Sequence, residues 1–209
     1  VTGTAPADIV SLRLGEEVVP VDADGRFLIA FDRDAAPTAR LTAQRADGRT
    51  IEKSLTIAPR PWRIERINAP MRPTNSTEAF LALRQPELAQ IAAARLLKTD
   101  ARGWRQRFIW PAMGRISGLF GSQRVYQGQP TGTPVVAPAD GVVILAAAKP
   151  FTLEGHLLMI DHGHGLNSAF LHLSRIDVKP GDTVTQGQRI GAIGATGRAT
   201  GPHLHWGML

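Results

Sequence analysis

The sequence predicts a mainly β protein: an antiparallel β C-terminal domain with a groove, a short helical arm before it, and an N-terminal β-sandwich-like domain. Three observations carry the fold class. Short runs alternate between apolar and polar residues, as in "VSLRLGEEVVPV" and "GTPVVAPADGVVILAA", which is the period of a half-buried strand. Gly and Pro are frequent, 21 and 15 of 209 residues, and punctuate those runs as turn formers do. Apolar residues make up 43% of the chain, enough to bury a core, while runs with helical periodicity are scarce.

Residues 1–60 read as an accessory β domain. "GRFLIAFD" and "ARLTAQRADGRTIEKSLTIAP" continue the alternation, and "ADGR" at 46–49 has the composition of a hairpin turn. This part holds no histidine, so the expectation is a spacer or binding module. Residues 61–107 read as an extended linker and a helical arm. "PWRIERINAPMRPTNS" is broken by proline; Ser76 or Thr77 can cap a short helix running through Leu83. Pro86 suits the first turn of a second helix, "PELAQIAAARLLK", with Leu88, Ile91, Ala92 and Leu96 on one face. Strand patterns return over 108–209, where all six histidines lie.

Bulk properties narrow the function. The formal charge is +6 and the pI about 10.7, which suits a polyanionic partner. The arginines are scattered and no nucleic-acid-binding motif is present, so no nucleic-acid partner is expected. The absence of cysteine excludes a disulfide scaffold and a cysteine zinc knot. No apolar stretch is long enough for a transmembrane helix. The chain opens on Val1 with no signal peptide, as a processed form would.

The histidines divide into groups. In "GPHLHW" strand alternation puts His203 and His205 on one face and Leu204 on the other. In "SAFLHLS" the same rule sets His172 beside Phe170 and opposite Leu171 and Leu173. If these strands are neighbours, three imidazoles converge. His162 and His164, in "DHGHG", read as an exposed turn with incidental rings, although Asp161 beside them gives the look of a metal cluster. His156 is assigned no role.

The pieces "GRISGLFGSQR", "GTPVVAPADGVV", "MIDHGHGLNSAFLHLS" and "VKPGDTVTQGQRIGAIGATGRATGPHLHW" resemble, in order and over about Trp110–Trp206, the M23 (LytM or lysostaphin-type) zinc endopeptidases that hydrolyse peptidoglycan. The resemblance implies that His205 is a ligand of Zn2+. It also implies that His172 and His203 are the catalytic pair, handling the water and the developing oxyanion. It further implies peptidoglycan as partner and a periplasmic or extracellular place in the cell envelope. The chemistry is coherent: zinc on three protein ligands keeps a position for water and lowers its pKa towards about 7, and an imidazole can accept the proton at neutral pH.

The sequence departs from the family in one place. The resemblance implies two further ligands from an H-x-x-x-D element before "GTPVVAP", yet Gly121–Pro138 contains neither His nor Asp. A loop belongs there, near Pro130–Thr131. With it, the expected activity is zinc-dependent hydrolysis of peptide bonds in peptidoglycan stems or cross-bridges. Without it, the expectation is a non-catalytic factor that binds cell wall or activates a cell-wall amidase. "VKPGDTVTQGQRIGAIG" also has the look of a biotinyl or lipoyl carrier, but no lysine stands in the turn before it and that reading leaves "GPHLHW" unused.

Overall fold

The computed structural model describes residues 1–32, 34–60, 77–114 and 131–209. The expected cap Ser76, the Pro-rich stretch before it, "GRISGLFGSQR" beyond Gly114 and the interval up to Pro130 lie outside the described residues. The chain divides into two compact units, Val1–Ile64 and Glu65–Leu209. Among the described residues no helix is long and apolar enough to cross a membrane.

The described residues of the first unit form β elements and turns. Strands β2 (Ile9–Leu14), β3 (Glu17–Val18), β5 (Thr38–Arg45) and β6 (Thr50–Thr56) form an antiparallel sheet in the order β3-β2-β5-β6, and β1 (Thr2–Thr4) pairs with β4 (Arg26–Leu28) in a second. Leu12 and Ala43 from the larger sheet and Phe27 from the smaller share one buried cluster with Ala5, Val19 and Ile29. The expected hairpin at 46–49 is present: β5 and β6 pair in continuous register from Thr38↔Thr56 to Gln44↔Thr50. Asp47 supplies the turn chemistry, its carboxylate accepting from the Arg49 amide at 3.0 Å.

Among the described residues the second unit is built on a curled antiparallel sheet of seven strands. These are β7 (Pro134–Val136), β8 (Gly141–Ala146), β9 (His156–Asp161), β10 (Asn167–Ile176), β11 (Thr183–Val184), β12 (Arg189–Ile193) and β13 (His205–Met208). The order is β11-β8-β9-β10-β12-β7, with β13 also on β10. One core cluster holds Phe170, Leu158, Ile160, Leu173, Ile190 and Ile193, and Leu204 and Trp206 pack against it. A second, with Leu145, Leu157 and Met159, receives Ile91 and Ala94 of a helix.

That helix, α1 (Glu78–Leu96), departs from the expectation in two ways. It is one helix, running through Pro86, where two short ones were expected. The cap is Thr77, whose hydroxyl accepts from the Phe80 amide at 3.2 Å. Its docked face carries Arg84, Ile91 and Ala94, while Leu88 and Leu96 are exposed. The apolar stripe read from sequence is therefore displaced by about a quarter of a turn, with Ile91 common to both faces. A charged side chain, Arg84, takes a place in the buried face because the sheet offers it carboxylates (below).

Candidate functional site

The site forms where β10 changes partners. From Ser168 to Leu171 β10 pairs with β13, ending at Leu171↔His205; from Leu173 onward it pairs with β12, beginning at Leu173↔Ile193. His172 occupies the fork. The register with β9 slips at the same point, between Phe170 and Leu173, and His172 has φ 64. A β-bulge with its residue in the left-handed region explains both. A non-glycine residue there is strained, and such strain concentrates at functional sites.

This bulge corrects the alternation argument. Phe170 and Leu173, expected on opposite faces, lie in the same core cluster, and Leu171 packs on the other. His172 is therefore aimed by the bulge rather than by strand period. At the other end of the site alternation holds. Leu204 packs on the core while His203, bridged to Gly194, and His205, the first residue of β13, flank it.

The three imidazoles expected to converge do so. The ring of His172 lies 4.8 Å from that of His203 and 6.4 Å from that of His205, centroid to centroid. His172 is held twice: its amide donates to the Glu154 carbonyl at 2.8 Å, and its Nδ1 pairs with the Thr196 carbonyl at 2.9 Å. A carbonyl only accepts, so Nδ1 carries the proton and Nε2 keeps its lone pair. His203 is arranged likewise, Nδ1 pairing with the Gly201 carbonyl at 2.9 Å. Among the described residues its buried Nε2 has no hydrogen-bond partner, and a hydrogen-bonding ligand would satisfy it.

Burial pushes the His172 ring below its ordinary value; the Thr196 hydrogen bond opposes this, and His203 and His205 nearby add to the depression. His205 is pushed down by burial and by His203. His172 and His205 are thus held towards the neutral form at neutral pH, the form that accepts protons or binds metals.

A catalytic zinc needs three protein ligands. Among the described residues no three His, Asp or Glu side chains form a metal-holding group. The two acids near the sequence motifs are committed elsewhere. Asp140 accepts from Gln106 Nε2 and the Gln186 amide, both at 2.8 Å. Asp161 accepts from the Thr99 amide at 2.9 Å and hydroxyl at 2.6 Å. The described residues therefore do not complete a catalytic zinc site.

His162 departs from its expected exposed turn. It is fully buried, Nδ1 2.7 Å from the Asp140 carbonyl and Nε2 2.8 Å from Ser168 Oγ, and burial lowers its pKa. It is a structural pin between β8, β9 and β10. His164 stacks on Trp104 at 4.2 Å. Neither joins the imidazole cluster. His156 gives its amide to Thr196 Oγ1 at 2.9 Å.

Sequence reasoning missed Thr196, Glu154 and Arg84. Thr196 sits in a Gly-rich run whose composition marks only a turn. Arg84 and Glu154 carry no local signal, because their meaning lies in a contact across 70 residues.

Comparison with known proteins agrees with this geometry. Residues 122–209 match the model of peptidase family M23. Peptidoglycan DD-endopeptidase ShyA of Vibrio cholerae serotype O1 is 38% identical over 117 residues, covering 50% of this chain and 27% of that protein. Peptidoglycan DD-endopeptidase ShyB of the same organism is 45% identical over 107 residues, 51% of this chain and 24% of that protein. The chain thus spans about a quarter of the length of these curated relatives. A Pseudomonas aeruginosa crystal structure described as a putative peptidase M23 superposes with a TM-score of 0.73 at 28% identity, covering 99% of this chain and 83% of that one. With the imidazole cluster on a curled antiparallel sheet, these matches show that the chain carries, over residues 122–209, a domain of peptidase family M23.

Proposed function

We propose that the C-terminal unit engages the peptide part of peptidoglycan in the cell envelope, with its imidazole cluster as the contact, and that the chain as it stands binds such peptides without cutting them. The carrying observation is the buried Nε2 of His203, which has no hydrogen-bond partner among the described residues, beside a His172 ring whose Nδ1 is already committed to the Thr196 carbonyl. Two imidazoles whose Nδ1 atoms are taken up by backbone carbonyls present their Nε2 atoms to the N–H groups of an extended peptide. The relatives named as peptidoglycan DD-endopeptidases support the substrate class, and the net charge of +6 suits an anionic wall.

Hydrolysis is the second reading, favoured by retention of all three rings. In it His205 is a zinc ligand, and His172 and His203 move the proton and hold the oxyanion. Zinc would supply an activated water and polarise the scissile carbonyl, but it requires a His and an Asp that Gly121–Pro138 does not contain.

One experiment separates the two. The 209-residue chain and a version with an H-x-x-x-D loop inserted between Pro130 and Thr131 are compared for zinc content, sedimentation with purified peptidoglycan, and release of muropeptides. The expected result is wall binding by both, and zinc uptake and cleavage by the loop-bearing form alone, lost again with His205→Ala. Cleavage by the unmodified chain would overturn the binding-only reading; failure of both to sediment with peptidoglycan would overturn the substrate class. Adding a cell-wall amidase to the same assay reads out the remaining use of a non-cutting groove, activation of that enzyme.

A further inference from the structure

A buried ion-pair network ties α1 to the imidazole cluster. Arg84 is 9% exposed. Its guanidinium makes a two-pronged contact with Glu154, Nη1 to Oε2 at 2.6 Å and Nη2 to Oε1, and Nη1 also donates to Glu87 Oε2 at 2.8 Å. Glu87, one turn further along the helix, accepts at Oε1 from the Thr152 amide at 2.6 Å and hydroxyl at 2.7 Å. Two successive helical turns, one on each side of Pro86, thus grip the tight turn 151–155, which is closed by paired hydrogen bonds between Phe151 and Gly155.

That turn is the support of His172. The Glu154 carbonyl accepts the His172 amide at 2.8 Å. Gly155 lies directly against Thr196, where an added Cβ would fall 2.3 Å from its hydroxyl oxygen. Thr196 in turn donates through Oγ1 to the Leu173 carbonyl at 2.8 Å and accepts the His172 ring at its own carbonyl. Amide and ring of His172 are therefore fixed by two atoms of one small assembly, and Arg84 and Glu87 fix that assembly to the helix. A lone apolar anchor would dock the helix equally well. A buried, bidentate arginine adds directional registry, for which paired charges are best suited.

We infer that Arg84 is a positioning residue: through Glu154 it sets the conformation of the strained His172 and hence the geometry of the imidazole cluster. The inference rests on the reading of His172 as a working group, and its test observes the ring itself rather than binding or hydrolysis, so the two fail separately.

The test uses the full 15N-labelled chain at pH 8, with His172→Gln to assign the ring. Long-range 1H–15N spectra report which ring nitrogen carries the proton, and amide exchange is followed at His172 and, as an internal reference, at Ile193, whose amide bonds the Thr133 carbonyl. Arg84→Met is compared with Ile91→Ala, which loosens the same helix without touching the network. Arg84→Met should accelerate exchange at His172 at least tenfold relative to Ile193 and mix the two tautomers. Ile91→Ala should leave that ratio and the tautomer unchanged. Arg84→Lys, a point charge without the fork, should recover part of the effect. Should Arg84→Met not fold, Glu154→Gln and Arg84→Lys carry the test, each expected to shift the His172 ring signals in a folded protein. The inference is overturned if the Arg84 variants and Ile91→Ala move His172 alike, or if none moves it.

Discussion

Gly155→Ala probes the support of the site at one atom's cost. Gly155 has φ +67, and its added Cβ would stand 2.3 Å from Thr196 Oγ1 and 2.4 Å from both the Thr196 carbonyl carbon and oxygen. Two penalties follow. Holding alanine in the left-handed region costs about 1–2 kcal/mol. Forcing Thr196 aside costs a further ~1–3 kcal/mol, the range for overpacking a well-filled interior, since the opposing atoms are largely backbone and cannot swing away. The stiffer unfolded chain returns about 0.4–1 kcal/mol. The net expectation is a loss of about 2–4 kcal/mol. Gly165 is the matched control: its φ is +77, but nothing lies within 4 Å of the added atom, so Gly165→Ala should lose only about 1 kcal/mol. Urea unfolding of both variants measures the difference, and the His172 ring spectrum reads whether displacement of Thr196 reaches the site. Equal losses in the two variants, or a large loss at Gly155 with an unmoved His172 ring, would refute the claim that this contact seats the imidazole.

Three further predictions concern the same unit. His162, His172 and His205 all titrate below the ordinary 6.5 in the folded chain. The unfolded state therefore binds more protons just below that value; stability is complete above it and falls as pH drops towards the folded values, by up to about 1.4 kcal/mol per pH unit for each group. Urea midpoints from pH 7.5 to 5 check the slope. His162→Phe should cost about 1–3 kcal/mol, because it removes the hydrogen bond to the Asp140 carbonyl, while Ser168 Oγ keeps Trp206 Nε1 and Met208 Sδ as partners, and should flatten the acid limb of that profile. Ile91→Ala should cost about 2–4 kcal/mol and Leu88→Ala less than about 0.5 kcal/mol, measured by the same unfolding assay; equal effects would restore the helix face read from sequence.

What the sequence made legible follows the range of the interactions involved. The hairpin at 46–49 and the cap at Thr77 are local, and both are where the turn and capping chemistry places them. The H-x-H pair is legible for the same reason, since two residues of period settle which way each ring faces. His172 shows how a right conclusion can stand on an incomplete argument. The ring does join the other two, but alternation alone would have separated Phe170 from Leu173, which share a core cluster; the bulge that reconciles them answers to the change of partner from β13 to β12, and a single strand's pattern contains nothing about its neighbours. His162 failed in the opposite sense. Its Gly-flanked setting is that of an exposed turn, yet the turn folds under Asp140 and closes the ring in.

The displaced helix face makes the same point energetically. Counting apolar residues favoured Leu88 and Leu96, each of which gains about 1.5–3 kcal/mol when fully buried. The chain leaves both exposed and buries Arg84 instead, which is costly unless the charge is fully matched. Here Glu154 and Glu87 match it with hydrogen bonds, and Thr152 completes Glu87 in turn. Once the turn 151–155 presents a carboxylate towards the helix, leaving Arg84 out would strand that charge in a dry contact, a penalty of about 3–5 kcal/mol that offsets what burying two leucines would gain. The helix therefore rotates to the face that satisfies the acid, and in doing so it places a rigid element behind the one strained histidine of the imidazole cluster.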